Sequence, residues 1–419
     1  MAQVHVKTIA DDPKYAGVLP ADFLHGYASA AYQVEGGASD GGRGPASGTL
    51  PSRTTRMTVK RLVDHTTCGG KMSSCFNRTR LDRIVSPFRG HALSPWHSPV
   101  RNHLGGKSDP VNEEGIRYYD NLINALLDAN IEPTITLLHY DIPQALQDRY
   151  RGFAAADPSQ LVEDFVEYVR ICFERFGDRV KRWLTINEVH LLPSHFLCQW
   201  GYSPLVGHNS ILTHAYAVDL YRSKFQPTQA GVIGIALNNE WVEPIDDSPN
   251  AIAAAKLPVA RTLGWFADPI FKGTQTVGWE AWGELFPRFS DEEMKLVQGS
   301  ADFFLINHYG TMYATGKPYT EADSIGWQTL DEVNKTWVKD GKLIGKHGEN
   351  GHPHSDLDMP IYVYENGFPV EHEADKTLEE IIDDRDRQQF YSDYNQGLCD
   401  AVINHGAKIQ GYHGWSLLE

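Results

Sequence analysis

The feature that most constrains this chain is a recurrence. Short apolar runs, rich in β-branched and aromatic residues, end in polar residues and are separated by stretches of helical period. Seven such runs begin near residues 23, 134, 183, 232, 303, 361 and 408. Strands that alternate with helices imply parallel βαβ units. A chain of 419 residues, 41% hydrophobic, can form one large α/β barrel or two ordinary domains. The strand count favours a single domain over 1–419 of the α/β class, a (β/α)8 barrel, with its eighth strand expected between the first and second runs.

The helical stretches support this. Asn112 can cap a helix that puts Ile116, Tyr119, Leu122, Ile123, Leu126 and Leu127 on one face. Asp157-Pro-Ser-Gln160 supplies a cap, a proline at the first helical position and a Gln three residues after the cap. The helix it opens points Leu161, Phe165, Val169, Cys172 and Phe176 inward. Further helices are expected from about Asn209 and over roughly Leu378 to Asn404.

A parallel barrel collects its strand ends at one face. Here those ends are Gln33, His139, Asn187-Glu188, Tyr309 and Glu365. The run Ile361-Tyr-Val-Tyr-Glu365 leads a buried-type strand into a carboxylate, and Asn366-Gly367 then breaks it with a residue tolerant of unusual backbone angles. Taken singly, a strand-end Glu reads as a solvated loop acid, Gln33 as a surface residue, His139 as a satisfied strand-end histidine and Trp415 as core. Two glutamates on one face imply glycoside hydrolysis, retaining if their carboxyls lie roughly 5 Å apart and inverting at roughly 6.5 to 9.5 Å.

Net charge is −16, which argues against nucleic acid or an anionic membrane surface as a partner. The first dozen residues lack an apolar core of signal-peptide length, and no run approaches a membrane span, so a soluble cytoplasmic protein is expected. Cys68, Cys75, Cys172, Cys198 and Cys399 are scattered and fit neither a disulfide framework nor a zinc spacing. No metal or cofactor is expected. Aromatic content of 11% suits a site that stacks on flat ligand faces. Residues 51 to 107 differ from the rest: they hold eleven basic and two acidic residues and show no convincing period.

The motifs together resemble glycoside hydrolase family 1, the β-glucosidase family, with a fungal character. Thr185-Ile-Asn-Glu188 resembles its acid/base motif and Tyr364-Glu-Asn-Gly367 its nucleophile motif. Phe23-Leu-His-Gly-Tyr-Ala-Ser-Ala-Ala-Tyr-Gln33, Leu138-His-Tyr-Asp-Ile-Pro143, Asp302-Phe-Phe-Leu-Ile-Asn-His-Tyr309 and Gly411-Tyr-His-Gly-Trp-Ser-Leu-Leu418 are similar to its other strand signatures. The resemblance implies a retaining hydrolase of terminal β-D-glucosyl residues. Glu365 would attack the anomeric carbon, and Glu188 would protonate the leaving oxygen and later deprotonate water. Gln33, His139 and Asn187 would hold sugar hydroxyls, Tyr309 would donate to the nucleophile and Trp415 would stack under the ring. The substrate would be a β-glucoside or cello-oligosaccharide such as cellobiose.

Three departures accompany the resemblance. Residues 47–104 replace the first barrel helix and the second strand, with its nucleophile-pairing arginine, so the barrel is expected to lack a recognisable second strand. The segment 189–205 opens on Val189 where the family has proline, and matches nothing. The chain stops at Glu419, before the family's sugar-gripping Glu and Trp and its closing helix. The two internal segments carry three of the five cysteines and read as frame-shifted or mis-spliced. Without the arginine, the pKa of Glu365 is expected to rise. Two readings remain: a retaining β-glucosidase, or a misfolded or catalytically dead barrel remnant.

Overall fold

The computed structural model describes residues 12–30, 106–189, 204–275, 286–317, 333–341, 359–368, 376–377, 381 and 383–415, together with the backbone of 91–93 and 342–343. Eight parallel strands close a barrel: β1 (Leu24–Ala28), β2 (His91–Leu93), β3 (Pro133–Leu138), β4 (Arg182–Asn187), β5 (Val232–Asn238), β6 (Phe304–Asn307), β7 (Ile361–Glu365) and β8 (Ile409–Trp415). Each strand pairs with its sequence neighbour, and β1 joins β8 through Leu24 opposite Gly411. The strand that the sequence hid is β2. Its three residues pair with Tyr27 and Ala28 on one side and with Pro133 to Ile135 on the other, and so close the ring. The rest of 47–104, and 190–203, lie outside the described residues.

Strand alternation divides the core into two layers. Leu24, Ala28, Leu184, Ala236, Leu305, Tyr362 and Tyr364, with Phe303, fill the barrel interior. Ile135, Trp183, Ile233, Ile306, Ile361 and Val363 belong to the outer cluster beneath the helices. Glycine admits the interior aromatics: a Cβ on Gly411 would lie 2.8 Å from Tyr362 Cδ1. Below them the Arg182 guanidinium stacks 4.9 Å from the Tyr362 ring centre and donates to its hydroxyl at 3.3 Å.

The helices owe their positions to their apolar faces. In α1 (Glu113–Asp128), Asn112 accepts from the amides of Glu114 and Gly115, and Ile116, Tyr119, Leu122, Ile123 and Leu126 are buried. Leu127 is exposed instead, because it falls at the edge of that stripe. In α2 (Ser159–Phe176) all five expected core residues are fully buried. It begins one residue later than the cap pattern suggests, although Asp157 still accepts from the Ser159 amide at 3.0 Å. α3 (Pro204–Leu220) starts five residues before Asn209, and α4 (Arg385–His405) starts after Asp384, which caps it by accepting from the Arg387 amide. Both Cys172 and Cys399 are buried thiols outside any disulfide. No described helix is long and apolar enough to cross a membrane.

Candidate active site

The C-terminal ends of β3, β4, β6, β7 and β8 meet in one buried polar cluster. Glu188 comes directly after β4, and its amide donates to the Ala236 carbonyl of β5 at 2.8 Å. Its carboxylate has two partners from other strand ends. The Asn307 amide donates to Oε1 at 3.0 Å, and the Tyr140 hydroxyl donates to Oε2 in a short hydrogen bond. Glu365 closes β7 and accepts from the Tyr309 hydroxyl at 2.7 Å through Oε2. Asn307 and Asn187, in the same cluster, also favour the charged form of Glu365.

A neutral chain extends from this pair. Asn307 Nδ2 donates to Asn187 Oδ1 at 3.2 Å, and Asn187 Nδ2 lies 3.1 Å from His139 Nε2. An amide nitrogen only donates, so His139 Nε2 accepts and the ring proton sits on Nδ1. Burial lowers the His139 pKa to about 3, which keeps the imidazole neutral. The Trp415 ring lies 5.6 Å from it, half-buried at the end of β8. The sequence-based set of His139, Asn187, Glu188, Tyr309, Glu365 and Trp415 is thus assembled at one barrel end, while Gln33 lies outside the described residues.

Two residues of this cluster were not singled out by the sequence. Asn307 ends β6 as Asn187 ends β4, a parallel that could have marked it. Tyr140 stands inside a matched motif, but a tyrosine after a strand reads as packing. Its backbone is left-handed (φ +66°), as is that of Glu188 (φ +45°). Such strain costs on the order of 1–3 kcal/mol per residue and gathers at working sites.

Asn366 locks the top of the barrel. Its side chain donates to the His308 carbonyl at 2.7 Å and accepts from the Tyr412 hydroxyl at 2.5 Å, and its own carbonyl accepts from the Trp415 amide at 2.9 Å. Gly367 serves this join by its size rather than by an unusual backbone angle. A Cβ there would stand 2.1 Å from the Trp415 carbonyl oxygen.

Both carboxyls are held above the ordinary range. Burial raises Glu188, and the donors Tyr140 and Asn307 work against that rise. Burial also raises Glu365, and the charge of Glu188 adds to the rise, with Tyr309, Asn307 and Asn187 opposing. Burial and mutual repulsion together favour a state in which the pair holds one proton. Among the described residues there is no group of three or more His, Cys, Asp and Glu side chains suited to a metal ion.

A (β/α)8 barrel with a buried carboxyl pair at its C-terminal face defines the class: a glycoside hydrolase. The chain belongs to glycosyl hydrolase family 1, whose family model matches residues 15–419. It is 38% identical to beta-glucosidase 1B of Phanerodontia chrysosporium, over 96% of this chain and 78% of that protein. Beta-glucosidase 2 of the fungus Trichoderma reesei, solved in complex with Tris, superposes with a TM-score of 0.82 at 30% identity, covering 95% of this chain and 90% of that one. A family 1 beta-glucosidase from the fungus Humicola insolens, solved with glucose, gives 0.81 at 30% identity, again over 95% and 90%.

Proposed function

We propose that this protein is a retaining β-glucosidase that cleaves terminal β-D-glucosyl residues from β-glucosides or cello-oligosaccharides by double displacement. The observation that carries the reading is the gathering of Glu188 and Glu365 at one barrel end, where Asn307 donates to Glu188, Tyr309 donates to Glu365 and the charge of Glu188 acts on Glu365. A retaining pair stands roughly 5 Å apart, whereas inversion needs room for a water at roughly 6.5–9.5 Å, and the retaining assignment follows from the resemblance of the strand-end motifs to family 1.

In the first step Glu365 attacks the anomeric carbon while Glu188 gives its proton to the leaving glycosidic oxygen. In the second, Glu188 takes a proton from water, whose oxygen displaces the Glu365 ester. The shared proton suits this sequence, because one carboxyl must be charged while the other is neutral. Tyr309 favours the charged form of Glu365. By resemblance His139, Asn187 and Gln33 serve as neutral donors and acceptors for sugar hydroxyls, and Trp415 offers its ring to the sugar face. The Trichoderma reesei and Humicola insolens structures are both of beta-glucosidases, which supports the choice of sugar.

Hydrolysis of an aryl β-glucoside monitored by proton NMR tests both claims. The expected first product is β-glucose, with all turnover lost in Glu365→Gln. Initial release of α-glucose would overturn the retaining mechanism, and an inert wild-type chain would overturn the activity.

A further inference from the structure

Glu188 has to work in two protonation states, and its two described partners differ in how they meet that need. The Asn307 nitrogen at Oε1 can only donate. The Tyr140 hydroxyl at Oε2 can donate or accept. We propose that Tyr140 is the positioning residue of the acid/base, a reversible hydrogen-bond partner that donates to Glu188 while it is a carboxylate and accepts from it while it is protonated. This rests on reading Glu188 as the acid/base of a glycosidase.

The geometry prepares Tyr140 for that task. It stands directly after the strand end, in the left-handed region, and the turn is pinned where the His139 amide donates to Asp141 Oδ1 at 2.9 Å. Its ring is buried, edge-on to His139 with centroids 5.1 Å apart. It is therefore held by packing on one side and by Glu188 at its tip. When Glu188 releases its proton to the glycosidic oxygen as the bond from that oxygen to the anomeric carbon breaks, a charge is left in a dry site. Rotation of the Tyr140 O–H toward Oε2 meets that charge without moving a heavy atom. When Glu188 later takes a proton from water, the hydroxyl turns back.

The other groups facing Glu188 cannot do this. From β7 comes Glu365, a like charge. From the loop after β5 comes Glu240, whose carboxyl is pushed up to about 7 by burial, with the charge of Glu188 adding to the rise and the Gly310 amide opposing it. His139 is neutral and reaches Glu188 only through the amides of Asn187 and Asn307.

The test is a titration of carboxyl-¹³C-labelled glutamate in the wild-type protein and in Tyr140→Phe, with the Glu188 signal assigned by its loss in Glu188→Gln. The bond to the buried carboxylate is charge-assisted and stronger than the bond from the protonated acid, so losing both favours the protonated form and the Glu188 midpoint should rise by about one pH unit. Tyr140→Trp, which keeps an aromatic ring without a hydroxyl at that place, should move it in the same direction. In the active enzyme the basic limb of kcat/KM should move up by a similar amount. An unchanged or lowered midpoint in Tyr140→Phe would overturn the proposal. The NMR readout needs no turnover, so an inert wild-type chain, which would sink the glycosidase reading, is a separate result.

Discussion

Asn307 is the residue whose loss should damage this site in the most informative way. In Asn307→Ala the donor to Glu188 Oε1 at 3.0 Å and the donor to Asn187 Oδ1 at 3.2 Å disappear together. A hydrogen bond to a charged group contributes about 2 kcal/mol and a neutral one about 1 kcal/mol, so transition-state stabilisation should fall by about 3 kcal/mol. At 1.36 kcal/mol per decade that is roughly a hundredfold drop in kcat/KM. The amide also favours the charged forms of both Glu188 and Glu365. Its removal therefore raises both carboxyl pKa values, and both limbs of the pH profile should move to higher pH. The assay is kcat/KM for an aryl β-glucoside across the acid and neutral range, with melting curves to verify folding. A folded Asn307→Ala variant with kcat/KM within threefold of wild type, and limbs in their original places, would refute the bridging role.

Two further predictions concern stability. The folded-state pKa of Glu365 is raised, so its ionisation favours unfolding: its contribution to stability is present below its unfolded pKa and lost as pH rises through the folded one. Glu365→Gln should consequently melt higher than wild type at neutral pH, with the difference closing toward pH 4; a lower or pH-independent difference speaks against the buried pair. Gly367→Ala puts a methyl 2.1 Å from the Trp415 carbonyl, where backbone must yield. It should destabilise by about 1–3 kcal/mol in denaturant titrations and cost activity by displacing Glu365 and Trp415, whereas wild-type behaviour would contradict the packing described.

Much of the barrel is legible in the sequence because parallel strands buried on both faces are nearly continuous apolar runs. All seven recognised strands start within one residue of their expected positions, from Leu24 to Ile409. β2 was not legible for a physical reason: three residues, His91 to Leu93, are too few to display a period, and their neighbours offer no apolar continuation. α4 begins only after its cap Asp384, while at the earlier start expected from the sequence Ile381 is helical and its amide donates to the Thr377 carbonyl at 3.0 Å; 378–380 and 382 lie outside the described residues. At the site, Asn187 draws attention through the carboxylate of Glu188 beside it, whereas Asn307 is followed by His308 and has no such neighbour. Its importance comes from which groups it touches, and that depends on strands brought together across the barrel.

The orientation of Glu365 and Asn187 was the least legible of all. In β7, Tyr362 and Tyr364 fill the interior while Ile361 and Val363 pack outward, so simple alternation would turn Glu365 toward the helices. In β4, Trp183 packs against Phe173 of α2 and Thr185 meets His214 of α3 at 2.7 Å, so alternation would send Asn187 outward as well. Each strand has a register irregularity at the decisive point, between Val363 and Glu365 against β6 and between Leu184 and Asn187 against β5. A bulge re-aims the side chains that come after it along the strand. Here the two irregularities bring Asn187, Glu188 and Glu365 to a common set of amide and hydroxyl donors. The candidate site therefore depends on two local breaks in strand geometry as much as on the barrel. Changes that restore regular pairing there would leave the fold standing and disperse the site.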